Sequence, residues 1–207
     1  MKFSVDRESL LRPIQQVSGV VERRQALPIL QNLLLEIRDG KLLITGTDLE
    51  IELKTYVEVS VEEEGLVTVP ARKLLDICKE IPEQAKIDFS SRENRLELKS
   101  GRFRSTLSTL PADDFPTFDE GSPNLKVEAD AKEFKLLLDK TSFAMAHQDV
   151  RFFLNGMLIE SGKNFLRAVA TDGHRLALSN IQQAGLNEKE VQVIVPRKAV
   201  LELQEHI

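Results

Sequence analysis

The chain has one cysteine and three histidines among its 207 residues. No apolar run approaches the ~18 residues of a membrane span. The lone Cys78 excludes an internal disulfide. It lies four residues after Leu74 and beside Ile77, the place of a small apolar side chain in a packed face. His147, His174 and His206 have no cysteine or glutamate at metal-ligand spacing, and no phosphate-cradling glycine pattern occurs. An excess of positive charge is also lacking: 28 basic against 33 acidic residues give a net charge of −5. That excludes a broad basic surface for nucleic acid, because phosphate neutralisation drives such binding. A local basic stripe or a topological hold on DNA stays open. Met1-Lys2-Phe3 runs straight into a strand-like segment with no secretory signal, so a cytosolic protein is expected. Hydrophobic residues at 42% and charged residues at 29% are those of a soluble globular chain with a proper core.

What the chain does have is a repeat. Leu27-Pro28-Ile29-Leu30-Gln31-Asn32, Gly46-Thr47-Asp48 and Val67-Thr68-Val69-Pro70-Ala71-Arg72-Lys73 follow one another in the first half. About 125 residues later come Arg151-Phe152-Phe153-Leu154-Asn155, Ala170-Thr171-Asp172-Gly173 and Val193-Ile194-Val195-Pro196-Arg197-Lys198. Three blocks in the same order imply a duplicated domain.

The first repeat opens with a strand over 2–5. Asp6 is placed to cap a helix bearing Leu10, Leu11, Ile14 and Val17, in which Pro13 removes one hydrogen bond or makes a kink. Strands follow at about 31–38 and 41–46, joined by the hairpin signal Asp39-Gly40. Ile51, Leu53, Thr55, Val57 and Val59 alternate as one face of a further strand. Glu62-Glu63-Glu64 reads as a solvated loop. The plan then restarts: a strand over 67–69, Pro70 at the first helical position, and a helix with Leu74, Leu75, Cys78 and Ile81 on its apolar face. Strands at about 85–91, 95–100 and 102–108 complete it. Each domain is thus two strand–helix–strand–strand–strand halves, and the fold class is α+β with antiparallel sheet.

Leu110-Pro111-Ala112-Asp113-Asp114-Phe115-Pro116 through Gly121-Ser122-Pro123 reads as an extended connection, giving domains over 1–120 and 121–207. In the second, Asp130 caps a helix bearing Phe134, Leu137, Leu138 and Thr141. Strands fall near 153–160, 165–170, 174–181 and 191–195, and a helix starts at Pro196. The strands that should complete this domain are missing, so a fragment is expected.

Two constellations carry chemistry. Arg72-Lys73 and Arg197-Lys198 both fall in the first turn of a helix. A cation there costs roughly 0.3–1 kcal/mol against the macrodipole, so either an anion such as phosphate meets it or the charge is simply solvated. Arg23-Arg24 could extend that stripe. Asp172 and His174 could be taken for a catalytic pair. Thr47-Asp48 occupies the matching place without a histidine, and a side-chain-bonded turn accounts for both.

With these motifs in place the chain resembles the β sliding clamps of bacterial DNA polymerase III, a family of replicative processivity factors. Met1-Lys2-Phe3, Leu27-Pro28-Ile29-Leu30, Gly46-Thr47-Asp48-Leu49-Glu50, Val69-Pro70-Ala71-Arg72-Lys73 and Ser108-Thr109-Leu110-Pro111 are similar to its first domain. Met145-Ala146-His147-Gln148-Asp149-Val150-Arg151, Leu154-Asn155-Gly156-Met157-Leu158 and Ala170-Thr171-Asp172-Gly173-His174-Arg175-Leu176 are similar to its second. Phe152-Phe153 stand where the family often has tyrosines. The resemblance implies a DNA-clamp fold, three such domains per subunit, and a head-to-tail homodimer ring around duplex DNA. It implies no catalysis, no cofactor and no metal. It places DNA contacts on Arg24, Arg72, Gln148, Phe152 and Phe153, with Lys73, Arg197 and Lys198 as further candidates. It also implies a cleft for glutamine- and leucine-containing peptides of polymerases, the clamp loader and repair proteins. Arg151, Leu154, Thr171, Gly173, His174, Arg175 and Leu176 would line it, with third-domain residues opposite.

Overall fold

The computed structural model describes residues 1–21, 27–118, 126–182 and 190–207. They fall into two compact units, Met1–Asp119 and Glu120–Ile207. Unit 1 begins with β1 (Lys2–Asp6) and α1 (Arg7–Ser18), then a 3-10 turn over Pro28–Gln31. The meander β2 (Asn32–Arg38), β3 (Lys41–Thr47), β4 (Glu52–Glu58) follows. After β5 (Ser60–Glu63) the plan repeats as β6 (Gly65–Pro70), α2 (Ala71–Glu80), β7 (Lys86–Arg92), β8 (Arg95–Ser100) and β9 (Phe103–Ser108). The two halves trade their leading strands. β6 joins the first meander in the order β4-β3-β2-β6, and β1 joins the second in the order β5-β1-β7-β8-β9. Both helices and both sheets share one core, which runs from Phe3, Leu10 and Ile14 to Leu74, Cys78 and Phe89. Phe3 and Phe89 are directly opposed across β1 and β7, and their rings stack at 4.6 Å.

Local signals behave as the sequence suggests where the chain's neighbours leave them alone. Asp39 and Gly40 take φ of 53° and 74°, the two positive values a tight two-residue hairpin demands. Cys78 is buried, and burial pushes its thiol up to about 12, so it is inert packing. α1 continues through Pro13 to Ser18. Asp6 stands at the N-cap of α1 but its side chain makes no capping bond. The first helical N–H, that of Arg7, donates instead to the Ala85 carbonyl at 2.9 Å, extending the β1–β7 ladder. Arg7 in turn donates from Nε to the Cys78 carbonyl at 3.1 Å, placing a cation on the C-terminal end of α2.

Three expectations are corrected by long-range contacts. The acidic run is not a loop, because Glu62 and Glu63 belong to β5, an edge strand paired with β1. Lys2 Nζ holds Glu62 at 2.6 Å and the Met1 ammonium holds Glu63 at 3.2 Å. A short charged strand of this kind also discourages pairing with other chains. Pro70 closes β6 opposite Asn32 and serves as the N-cap of α2, one place before the first helical residue. The connection is not simply extended. Thr68 Oγ1 donates to the Leu110 carbonyl at 2.8 Å and accepts from its N–H at 3.1 Å. Phe115 is buried against Ile29, Leu30 and Leu34, and the Phe118 N–H donates to Glu52 at 3.3 Å. Residues 110–118 therefore lie along the outward side of the β4-β3-β2-β6 sheet. The remainder of the connection, Gly121-Ser122-Pro123 and Leu125 included, lies outside the described residues.

Unit 2 contains α3 (Ala131–Asp139), 3-10 turns over Ser142–Ala144 and Phe152–Leu154, β10 (Gly156–Gly162), β11 (Phe165–Thr171), β12 (Leu176–Gln182), β13 (Val191–Pro196) and α4 (Arg197–His206). Its sheet order, β12-β11-β10-β13, repeats β4-β3-β2-β6. The register repeats as well: Leu33 faces Val69 in one unit, and Met157 faces Val195 in the other. The strand expected over 153–160 starts only at Gly156, because Phe152 to Leu154 coil into the turn. Among the described residues this unit has one sheet. Val193, which occupies the place of Val67, is 54% exposed where Val67 is 6% exposed. A cavity of about 590 Å³ lined by Val127, Phe134, Ile159, Leu166, Val193 and Ile207 opens on that side.

The two aspartates at helix starts give a direct contrast. Asp130 accepts from the N–H groups of Lys132 and Glu133 at 3.0 and 3.1 Å. Asp130→Ala is expected to lower the free energy of unfolding by about 1 kcal/mol. Asp6→Ala should change it by less than about 0.5 kcal/mol. Urea unfolding of both variants checks this, and equal losses would contradict the capping assignment.

Candidate functional site

The same turn closes β3–β4 and β11–β12. Thr47 Oγ1 donates to the Ile51 carbonyl at 2.8 Å and accepts from the Leu49 N–H. Asp48 Oδ1 accepts from the N–H groups of Glu50 and Ile51, both at 2.9 Å. In unit 2, Thr171 donates to the Arg175 carbonyl at 2.7 Å and accepts from Gly173, while Asp172 Oδ1 accepts from His174 and Arg175 at 3.0 Å. Asp172 Oδ2 takes Nε of Arg175 at 2.9 Å. The backbone N–H bonds from His174 and Arg175, with the Arg175 side chain, hold the Asp172 carboxyl down at about 2. Both carboxylate oxygens are thus committed to the turn and to Arg175. Asp172 acts as a turn former, not as the partner of a catalytic His174.

Beside this turn lies the loop 147–155. Asn155 Oδ1 accepts the Asp149 N–H and its Nδ2 donates to the Asp149 carbonyl, each at 2.8 Å. The Asp149 carboxylate takes the N–H of Arg151 at 2.8 Å, its Nε at 3.0 Å and its Nη2 at 2.9 Å. These bonds from Arg151 hold the Asp149 carboxyl at about 2. The Arg151 guanidinium rests on Gly173: a Cβ built there would lie 3.1 Å from Nη2, 3.3 Å from Nη1 and 3.6 Å from Cζ. Arg175 in turn sits over the Phe143 ring at 5.5 Å.

The structure therefore gathers Arg151, Thr171, Gly173, His174, Arg175 and Leu176 around one turn. Leu176 is 64% exposed and offers a real apolar surface. Leu154 does not, at 6% exposed. Its N–H and carbonyl are bonded to the Arg151 carbonyl and the Ala146 N–H. On the same loop Phe152 and Phe153 are 86% and 60% exposed, and Gln148 is exposed at a φ of 59°. In unit 1, Arg72 and Lys73 are exposed in the first turn of α2, on the rim of a groove of about 740 Å³ that also takes in Ser18, Asn32 and Thr109. Arg197 is half-buried and donates to the Met145 carbonyl at 3.3 Å, and Lys198 is half-buried beside it. Arg24 lies outside the described residues. Sequence reasoning missed Asp149, Asn155 and Phe143. The Asp149-x-Arg151 spacing was the available signal for the first, since an aspartate commonly accepts the N–H two residues on.

Residues 1–119 match the family model of the DNA polymerase III beta subunit, N-terminal domain, and residues 128–207 match that of its central domain. The chain belongs to the DNA polymerase III beta subunit family. The beta sliding clamp of Pseudomonas putida is 54% identical over 204 residues, covering 98% of this chain and 56% of that protein. That of Escherichia coli is 50% identical over the same length, again 56% of the relative. The crystal structure of the Pseudomonas aeruginosa beta subunit superposes with a TM-score of 0.96 at 51% identity, over 99% of this chain and 56% of that one. A sliding clamp from the same species bound to griselimycin gives 0.94 at 52%, over 100% and 56%. The chain thus spans a little over half the length of the relatives it matches. No helix among its described residues is long and apolar enough to cross a membrane.

The duplicated turn yields a paired prediction. Leu49 holds a φ of 75° where Gly173 holds 87°, a conformation that costs a non-glycine residue roughly 1–2 kcal/mol. Leu49→Gly is expected to raise the melting temperature and Gly173→Ala to lower it, read by thermal unfolding. A lowered melting point for Leu49→Gly would contradict the strain.

The carboxyls give a pH prediction. Asp149 and Asp172 titrate near 2 in the folded chain against 3.8 ordinarily. Each contributes stability that is present above about pH 4 and lost as pH falls towards 2. Asp172→Asn should make the unfolding free energy fall less steeply over that window than in the parent. An unchanged acid slope would show that the turn does not bind the carboxylate.

Proposed function

We propose that this chain is the DNA-encircling, non-catalytic part of a replicative processivity clamp. The observation that carries the reading is the ordered match of both units to the first two domains of the beta subunit family. On it rest the domain limits 1–120 and 121–207, a third domain of the same kind, and a homodimeric ring in the cytoplasm that needs no cofactor or metal. Helices α1 to α4 would face the hole. Arg24, Arg72, Lys73, Gln148, Phe152, Phe153, Arg197 and Lys198 would meet the duplex. A chain of net charge −5 would then hold DNA by topology while its surface resists sticking.

Replicative polymerase, clamp loader and repair proteins would bind through short peptides at the cleft walled by Arg151, Thr171, Gly173, His174, Arg175 and Leu176. Leu154 would support that wall from beneath. The open apolar side of unit 2 favours a longer chain, because unit 1 closes the same side with a second sheet.

For residues 1–207 alone, without a ring, affinity for a labelled duplex should be weak, indifferent to sequence and steeply lowered by salt, with log K falling by about 0.9 per phosphate neutralised for each tenfold rise in salt. Arg72→Ala should reduce the slope by roughly one such unit. Tight binding that survives high salt would overturn a topological hold.

A further inference from the structure

We propose that Asp149 is the positioning residue of the peptide cleft, holding the Arg151 guanidinium in one orientation beside Gly173 so that Nη1 meets a carbonyl or carboxylate of the incoming peptide. The proposal rests on the reading of this wall as a peptide cleft and adds to it a residue and a role.

Three observations carry it. The first is geometric. Asp149 engages both Nε and Nη2 of Arg151 at 3.0 and 2.9 Å, a two-point grip that fixes the plane of the guanidinium as well as its place. A Cβ built on Gly173 would lie nearer Nη2 and Nη1, at 3.1 and 3.3 Å, than Cζ, at 3.6 Å, so the Nη end of the guanidinium abuts the turn. With Nε and Nη2 held by Asp149, Nη1 is the nitrogen left for a ligand.

The second is the comparison of the two units. The Leu154 N–H bonds the Arg151 carbonyl just as the Leu30 N–H bonds the Leu27 carbonyl, so Leu27 holds the place of Arg151. Leu49 holds the place of Gly173, and two residues before Leu27 the sequence has Gln25 where unit 2 has Asp149. The turn hydrogen bonds are the same in both units, so none of these exchanges is needed to build the turn. Unit 1 carries a leucine at φ 75°, so glycine at 173 is favoured by its own φ of 87° and by the closeness of Arg151. Asp149 and Arg151, which grip one another in unit 2, have changed together, and the shared turn explains neither change.

The third is how firmly the carboxylate itself is fixed. Asn155 binds both the N–H and the carbonyl of Asp149, and the Asn155 carbonyl accepts the first N–H of α4, that of Arg197, at 2.9 Å. The grip on Arg151 is therefore anchored to a helix, and a half-exposed arginine that would otherwise sample many rotamers is presented in one. Order imposed before binding is order the peptide need not impose.

The test uses this 207-residue chain in solution NMR, which reads weak affinities. In the free protein, the Nε–H of Arg151 should exchange slowly with water and should lose that protection in Asp149→Asn. Rapid exchange in the parent would overturn the proposal without any ligand. The chain and its variants are then titrated with an acetylated pentapeptide, Gln-Leu-Ala-Leu-Leu. Arg151→Ala and Asp149→Asn should each raise Kd about tenfold, and the double variant should bind no more weakly than Arg151→Ala alone. Additive losses, or full affinity in Asp149→Asn while Arg151→Ala is impaired, would overturn the positioning role. Unchanged affinity in Arg151→Ala, with peptide-induced shifts away from Gly173 and Leu176, would instead sink the cleft reading, and the role of Asp149 with it. Asp149→Glu should recover part of the affinity, which a merely structural loss would not do.

Discussion

The exchange of leading strands is the constraint on which the rest of this chain depends. A strand–helix–meander half leaves one side of its helix and one side of its sheet bare. In unit 1 each half supplies β1 or β6 to the sheet of the other, and α1 and α2 are thereby held side by side over a single core. Everything proposed for function hangs from that frame. The first turn of α2, with Arg72 and Lys73, is aimed by β6, and that of α4, with Arg197 and Lys198, by β13. The 3-10 turn that carries Phe152 and Phe153 is stitched to α4 through Asn155.

Duplication then lets one unit serve as the control for the other. Shared features mark what the fold needs: the threonine–aspartate turn, the proline that ends the strand before the helix, and the register of that strand. Differences mark what has been added. Where unit 1 has Thr68, Leu34, Thr45 and Lys54 in line across the outward side of its sheet, with residues 110–118 laid over that side, unit 2 has Ile194, Leu158, Val169 and Leu178, and Leu176 stands where unit 1 has Glu52. The exposure of Leu176 belongs with that second set. Leu176 there is mostly exposed.

Much of this was legible in the sequence, and what was legible was local or repeated. The hairpin at Asp39-Gly40, the cap at Asp130 and the burial of Leu74 and Cys78 follow from residues within a few positions of one another. The turn role of Asp172 is legible because Asp48 stands at the matching place and makes the same bonds. What escaped was decided at a distance. Glu62 and Glu63 became a strand because Lys2 and the amino terminus lie beside them. The connection was drawn onto unit 1 because Thr68 is buried with a hydroxyl that needs partners. Leu154 is assigned to the cleft by the family resemblance; its burial follows from its place at the end of the 3-10 turn, where its N–H and carbonyl are both bonded.

The trade of strands also sets a timetable for synthesis. The meander β2–β3–β4 is built from neighbours and can form as it emerges, but β1 pairs with β5 and β7, and β7 starts more than 80 residues later. At roughly 5–20 residues per second, a ribosome exposes Phe3 and Val5 for about 4 to 17 s before Phe89 and Ile87 exist to cover them. Contacts of such high sequence separation make folding slow, and until β5 and then β7 emerge the amino-terminal strand lacks its partners. The first six residues of the chain are therefore the stretch on which a nascent-chain chaperone would have the longest hold.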